Sequence, residues 1–378
     1  MKVVMLLGRS TGGIGTHVAE LSADLRDRGT DVIVVTHPLT ASRFDLGPVR
    51  LWWPGSAGCV RALLDLRLLR RLASTSDIVH AHGHQAALLA TLSTLGTRDM
   101  GKKPKLIVSQ HNAVLQGAGR QALKSLAQHW VARRADLVTG ASSDLVEEAL
   151  AFGAARVELA EVPSPRVPHL LAQRPADGPT RARIRKALIA SLALDRMDHI
   201  DLAAPLVVTI SRIAPQKNLS VLVEAASRLR NACTWVVLGD GDPDLLDQLQ
   251  AQTRSLGLPV HFVGARRDTD QWLRAAEVFV LPSEWEARAL VVQEALAAGT
   301  PVVATDVGGL HDLVAGTGLL VIPGDPEAIA KATDRVLADS RLRADLAGRG
   351  REVAKALPDG RDTASRWLKR YAEALLMT

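Results

Sequence analysis

The stretch from Ala275 to Asp306, AAEVFVLPSEWEARALVVQEALAAGTPVVATD, constrains the fold more than any other part of the chain. Val278 to Leu281 is short and wholly apolar, and reads as a strand buried on both faces of a parallel sheet. Pro282 ends it. An acidic loop, Ser283 to Glu286, leads into a segment with apolar residues at Leu290, Val291, Ala295, Leu296 and Ala298, helical in period and closed by Gly299. Pro301 to Ala304 reads as a second strand. A strand, loop, helix and strand in this order form an α/β unit, and the loop sits at the carboxyl end of a strand, where open α/β sheets bind ligands.

Two carboxylates frame that loop. Glu286 lies just before the helix and Glu294 inside it, and eight residues of helical rise predict a separation of roughly 12 Å. Such a pair is too far apart to share a proton, but it suits an extended polyhydroxylated ligand lying across the helix N-terminus. The free backbone N–H groups of that terminus would face a phosphate. Glu286, seven residues, Glu294, then Ala295, Leu296, Gly299, Pro301, Val302 and Val303 resembles the signature of the retaining GT-B glycosyltransferases of family 4. The resemblance implies an α/β fold of two Rossmann-like, doubly wound domains facing an interdomain cleft.

Length agrees with that expectation, because 378 residues exceed the usual size of one core. With 47% hydrophobic but only 3% aromatic residues, the cores are expected to be built from Leu, Val and Ala. No apolar run approaches the ~18 uncharged residues of a membrane span, and the chain enters a strand at once with no signal-peptide pattern. Cys59 and Cys233 have no CxxC partners and read as free thiols in a reducing compartment, so the expected location is cytoplasmic. Residues 1–170 carry 20 Lys plus Arg against 14 Asp plus Glu, whereas residues 205–378 carry 20 against 22. A basic first half suits an anionic partner or membrane surface. Nucleic acid is not expected, since there is little aromatic interleaving and no helix-turn-helix or RRM pattern.

The first half opens with a strand, Lys2 to Leu7, a Gly-rich loop, and an amphipathic helix with Val18, Leu21 and Leu25 on one face. The loop, GRSTGGIG, superficially resembles a short-chain dehydrogenase turn. That reading fails, because the only tyrosine is Tyr371 and Leu375 stands where the required lysine would be. Gly12, Gly13, Ile14 and His17 instead match the GG-hydrophobic-x-x-H loop of family 4, and by resemblance Gly13 meets the donor diphosphate or the acceptor. Residues 58–73 form an amphipathic helix with Leu63, Leu64, Leu68 and Leu72 as its buried stripe, and Arg61, Arg67, Arg70 and Arg71 available for an anionic membrane surface. His80, His82 and His84 alternate along a strand, but no carboxylate stands at ligand spacing, so no metal is expected there. His111 ends the strand from Lys105, and by resemblance it positions the donor sugar and handles proton traffic.

Six prolines between Pro163 and Pro205, with the run RARIRK, mark a linker. The strand Leu206 to Ser211 then leads into RIAPQKN, which places Arg212 and Lys217 at its carboxyl end, with Asn218 as the cap of the next helix. Two cations beside a helix N-terminus form a site for a pyrophosphate, and the arginine, four residues, lysine spacing matches the family. By resemblance, Val263 and Gly264 lie against the base, with Arg266 close by. Where the family has Glu-Gly-x-Gly, this chain has Glu286-Ala287-Arg288-Ala289, which removes easy access to positive φ and adds a cation.

The resemblance thus implies an acceptor domain over residues 1–165, with the helix 361–378 packing back on it. A linker over 166–204 and a nucleotide-sugar-binding domain over 205–360 complete the chain. The donor, a UDP- or GDP-sugar, would be held by Gly12, Gly13, Arg212, Lys217, Val263, Gly264, Glu286, Arg288, Ala289, Leu290 and Glu294. Catalysis would fall to His111, Glu286, Arg212 and Lys217, without metal or other cofactor. Three readings stand: transfer to a lipid-linked or cell-envelope acceptor, transfer by a soluble enzyme to a glucan or small metabolite, and a scaffold that binds nucleotide sugar without turnover. Intact Arg212, Lys217, Glu286 and Glu294 weigh against the last.

Overall fold

The computed structural model describes residues 1–10, 12–52, 59–95, 103–112, 121–194, 200–201 and 203–377. The chain divides into two compact units, Met1–Pro165 with Pro358–Thr378, and Arg166–Leu357. The first holds a parallel sheet of β1 (Lys2–Leu7), β2 (Asp31–Thr36), β3 (Val49–Leu51), β4 (Ile78–His82), β5 (Lys105–Gln110), β6 (Leu137–Gly140) and β7 (Val157–Leu159), in the order β3-β2-β1-β4-β5-β6-β7. The second holds β8 (Leu206–Ile210), β9 (Thr234–Leu238), β10 (Val260–Phe262), β11 (Val278–Leu281), β12 (Val302–Thr305) and β13 (Leu319–Val321), in the order β10-β9-β8-β11-β12-β13. All described pairings are parallel.

The apolar runs become central strands because successive side chains point to opposite faces and both faces are covered. In the second sheet Val207, Val278, Val280 and Val303 join one core while Leu206, Val208, Phe279 and Leu281 join the other. In the first, Val4 and Leu6 face one core and Val3, Met5 and Leu7 the other. The helix Gly360–Leu376 belongs to the first unit and buries Ala364, Trp367, Tyr371 and Ala374 there.

Three local readings change. Residues 166–204 lie within the second unit, where the helices Val167–Ala172 and Gly178–Leu194 form. Ile184, Leu188 and Leu192, spaced four apart, put one face of the longer helix in the core, and Arg185 pairs with Glu277 and donates to the Ala275 carbonyl. The basic run is therefore partly structural. In the helix Cys59–Ser74 the described buried face is Leu69 and Ala73, with Leu68 58% exposed beside Arg67 and Arg71. The side chains of Cys59, Arg61, Leu63 and Leu64 lie outside the described residues. Asn218 occupies the cap position of the helix Leu219–Ala226 in a left-handed conformation, φ 51°, and its side chain makes no capping bond. Cys233 is a buried free thiol with its pKa pushed up to about 12, by burial first and by Asp334 second.

Candidate functional site

Strand order reverses between β1 and β4 in the first sheet and between β8 and β11 in the second. The crevice outside the carboxyl ends of strands at such a point is where doubly wound sheets bind ligands. Almost every residue singled out from the sequence lies on a loop or helix that follows one of these strands or its neighbour.

In the second unit, β8 runs into the loop Ser211–Asn218, which carries Arg212 and Lys217. This loop is held by the one after β9. Ile213 donates to the Asp240 carbonyl at 3.0 Å, Asp242 donates back to Ile213 at 2.9 Å, and Ile213 bridges Gly241 in parallel register. The glycines are obligatory for this contact. A Cβ on Gly239, whose φ is 140°, would stand 1.9 Å from the Ser211 carbonyl oxygen, and one on Gly241 would stand 2.2 Å from that of Ile213. Gly239 also donates to the Gly264 carbonyl at 2.9 Å, which ties Val263 and Gly264 to the same loop. Gly239→Ala is expected to cost at least about 1–3 kcal/mol from backbone strain alone. Chemical denaturation of the variant checks the stability loss, and a displaced Ser211–Asn218 loop should lower donor affinity with it.

Lys217 forms an ion pair with Glu286, which arrives on the loop after β11. Ser283 donates to the same Glu286 oxygen at 2.7 Å, and the Glu286 carbonyl accepts from Gly309 at 2.9 Å. Gln216 donates from its amide to the Trp285 carbonyl at 2.6 Å and accepts from the Glu284 N–H at 2.9 Å, so the loops after β8 and β11 are stitched together. Glu286 is 8% exposed, and a buried charge persists only when paired and hydrogen-bonded. Arg212 is exposed at the start of its loop.

The helix after β11 is Leu290–Ala298, four residues later than Glu286. Helical rise therefore does not set the separation of Glu286 and Glu294, contrary to the expectation from sequence. Glu294 is 9% exposed and lies 3.9 Å from Arg166. Ala289 at the helix start has φ −62°, and Asn218 is the only non-glycine with positive φ among the described residues. The Glu-Ala-Arg-Ala loop thus takes its shape without left-handed backbone, and Ala289 costs it nothing. Arg288 is half-buried beside it. Arg266 is bound to Asp268 through two nitrogens, both at 3.2 Å, and to Ser191, which commits its guanidinium within the unit.

In the first unit Gly12 precedes the helix Gly13–Asp27, and a Cβ there would meet nothing within 4 Å. Gly15 has a packing reason instead, since its Cβ would fall 2.3 Å from the Phe44 ring. His17 on that helix, His82 at the end of β4 and His111 after β5 are all buried and gather together. His82 Nδ1 is 3.0 Å from His111 Nε2, and their rings are nearly parallel, 12° apart. His80 is satisfied on both sides, by the Tyr371 hydroxyl at 2.8 Å and the Ser109 hydroxyl at 2.7 Å, so its role is structural. Burial pushes His17 down to about 4 and His111 to about 3, and holds His80 and His82 well below the usual imidazole range. At neutral pH all four are uncharged, which makes His111 a hydrogen-bonding group and a poor base.

The first unit also has a hollow of about 390 Å³ lined by Leu88, Val108, Lys124 and Val131, into which Gln110 and Gln128 also face. Gln110 Oε1 and Gln128 Nε2 are buried without a hydrogen-bond partner among the described residues. Sequence reading missed Ser283, Gln216, Arg166 and His82 as supports. Only the GDGD run at 239–242 carried a usable signal, two glycines after a strand.

Two family models match the chain. The "glycosyl transferase 4-like domain" covers residues 12–165 and "glycosyl transferases group 1" covers 204–339. A lipopolysaccharide core biosynthesis glycosyltransferase, LpsE of Rhizobium meliloti, is 38% identical over 154 residues, 40% of this chain and 44% of that protein. A D-inositol 3-phosphate glycosyltransferase of Xylanimonas cellulosilytica is 29% identical over 96% of this chain and 92% of its own length. In fold, the chain is similar to Anabaena HepE, crystallised with UDP, at a TM-score of 0.82 and 20% identity, covering 99% of this chain and all of that one.

Proposed function

The chain belongs to the group 1 glycosyltransferases, and from that membership we propose that it moves a sugar from a nucleotide-diphosphate donor to a lipid-linked or cell-envelope acceptor, with retention of anomeric configuration. The observation that carries the donor half is the meeting of Lys217 and Glu286 from the loops after β8 and β11, at the reversal of strand order. In this reading Arg212 and Lys217 hold the donor diphosphate and stabilise the charge that develops on it as the glycosidic bond breaks. Glu286 accepts hydrogen bonds from the sugar hydroxyls and Glu294 from the ribose. Backbone groups of Arg288, Ala289 and Leu290 meet the donor at the helix start, Val263 and Gly264 lie against the base, and the Arg288 side chain contacts an anionic group of donor or acceptor.

No side chain serves as a covalent nucleophile: the departing diphosphate takes the acceptor proton. Two cations on the diphosphate do what a divalent ion does elsewhere, so the reaction needs no metal and survives chelator. In the first unit Gly12 and Gly13 approach the ligand closely, and neutral His111 binds a sugar hydroxyl. His111→Phe is expected to lower kcat/KM about tenfold, the value of one hydrogen bond of ~1.4 kcal/mol. The loss should not vary between pH 6 and 8, because the His111 ring does not titrate there; a loss that grows toward pH 6 would restore it as a proton carrier.

The hollow with its two unsatisfied amides supports an acceptor with an apolar part, and the lipopolysaccharide-core relative supports an envelope acceptor. Arg67, Leu68 and Arg71, exposed together, support contact with an anionic membrane. The inositol-phosphate relative, matched over nearly the whole chain, favours a second reading with a small phosphorylated acceptor. A donor panel offered with glycolipid in anionic vesicles, or with soluble polyol phosphates, separates the two. Proton NMR of the product then reads the anomeric configuration, and an inverted product, or no product with either acceptor class, would overturn the reading.

A further inference from the structure

We propose that His17, His82 and His111 form a three-histidine site for a divalent transition-metal ion of the zinc type. The three residues come from separate parts of the chain: a helix after β1, the last residue of β4, and the turn after β5. One ligand nitrogen from each lies within 4.8 Å of the others, and all three rings are buried. The ring centroids stand 5.3 Å, 5.5 Å and 5.8 Å apart. Zinc–nitrogen bonds of about 2.0–2.1 Å at tetrahedral angles place ligand nitrogens ~3.4 Å and imidazole centroids ~5.2 Å apart. The cluster is therefore within side-chain rotation of metal geometry.

A second observation points to a ligand. A buried structural histidine normally has both ring nitrogens tied to hydroxyls or carbonyls, as His80 has to Tyr371 and Ser109. His82 has one nitrogen against another imidazole, and its Nε2 is buried with no partner among the described residues. The nitrogen of His82 that meets His111 is Nδ1, and among the described residues it has only this imidazole as its partner. A metal ion replacing the proton between the two rings would therefore give the pair a shared ligand, with His17 closing the third position. The orphaned Nε2 lies on the other side of the His82 ring and marks it as incompletely satisfied. Three neutral nitrogens and no carboxylate leave a fourth position for water or a ligand oxygen, the pattern of an open site.

The transfer reaction proposed above does not need this ion. Its effect there rests on the assignment of His111 to the sugar: a metal that holds His111 withdraws it from the sugar, so zinc inhibits transfer and chelator reverses the inhibition. Binding itself is independent of that assignment.

The test titrates the full chain, first stripped of metal, with Zn²⁺ against a chromophoric chelator and with Co²⁺ followed by visible absorption. One ion per chain and the intense bands of four-coordinate cobalt are expected. His17→Gln and His82→Gln should each weaken zinc at least about 100-fold, more than the 10–100-fold typical of an outer-shell change. His169→Gln, exposed in the other unit, should leave it unchanged. X-ray absorption on the zinc-loaded wild-type chain counts imidazoles without any variant, so poor folding of a variant does not blunt the test. A shell of oxygens alone, six-coordinate cobalt, or equal zinc affinity in the His17→Gln/His82→Gln double variant would overturn the proposal.

Discussion

Lys217→Ala is expected to lower kcat/KM for the donor by about 10²–10³-fold, the usual loss when one charge-stabilising group is removed from a transition state. The same substitution strips Glu286 of its cation while Glu286 stays buried with only Ser283 and its backbone partners. Breaking a buried pair from one side costs about 3–5 kcal/mol. Two effects must therefore be separated. Kinetics measured well below the variant's unfolding midpoint report the diphosphate contact, and chemical denaturation reports the orphaned carboxylate. Lys217→Arg keeps the charge and should recover part of both losses. A variant that loses stability but retains kcat/KM would reduce Lys217 to a structural partner of Glu286 and remove the diphosphate from this loop.

Acid should unfold the first unit well before the second. His17, His80, His82 and His111 all have folded pKa values below the ordinary 6.5, with His17 at about 4 and His111 at about 3, and burial is the first cause in each case. In the unfolded chain they take up protons near 6.5, while the folded unit refuses them. The unfolded state then binds more protons, so stability falls as pH drops through 6.5 and keeps falling until the folded values are reached. Each histidine contributes up to about 1.4 kcal/mol per pH unit in that window, and four together up to about 5.5 kcal/mol per unit. His311 in the second unit is raised by Asp306, which gives the opposite sign, but it is fully exposed. Hydrogen exchange on the full chain at pH 7.5, 6 and 5 resolves the two units. Protection in β1, β4 and β5 should collapse first, and protection there that is unchanged between pH 7.5 and 5 would contradict the burial of these rings as neutral groups.

What the sequence revealed followed the physics that acts locally. Val278 to Leu281 and Leu206 to Ile210 are strands because β-branched and apolar residues on both faces suit a covered parallel sheet, and the loops that follow them inherit their place from it. Arg212, Lys217 and Glu286 could thus be put at strand ends without coordinates. Their pairing could not, since it depends on the stitching of Gln216 to Trp285 across 69 residues. The helix Cys59–Ser74 was misread in register, because five leucines among the seven positions 63–69 fit more than one stripe. Proline-rich 166–204 read as a linker, whereas the four-residue spacing of Ile184, Leu188 and Leu192 decides its packing. Alanine at 287 and 289 looked costly only if the loop needs positive φ, and it does not. The histidine cluster was out of reach altogether: His80 and His82 share a strand, His84 opens the helix after it instead of continuing the strand, and His82 gathers with His17 and His111, which only the tertiary fold brings together.

The most direct measurement is thermal unfolding of the full chain against UDP, GDP and their sugar conjugates, with Arg212→Ala and Lys217→Ala alongside. A ligand bound only to the folded state raises the midpoint with its concentration. The predicted result is a concentration-dependent rise with the conjugates of one base, a smaller rise with the bare diphosphate, and neither rise in the two variants. The same rise in both variants, or none with any donor in the wild-type chain, would contradict the assignment of the donor diphosphate to Arg212 and Lys217.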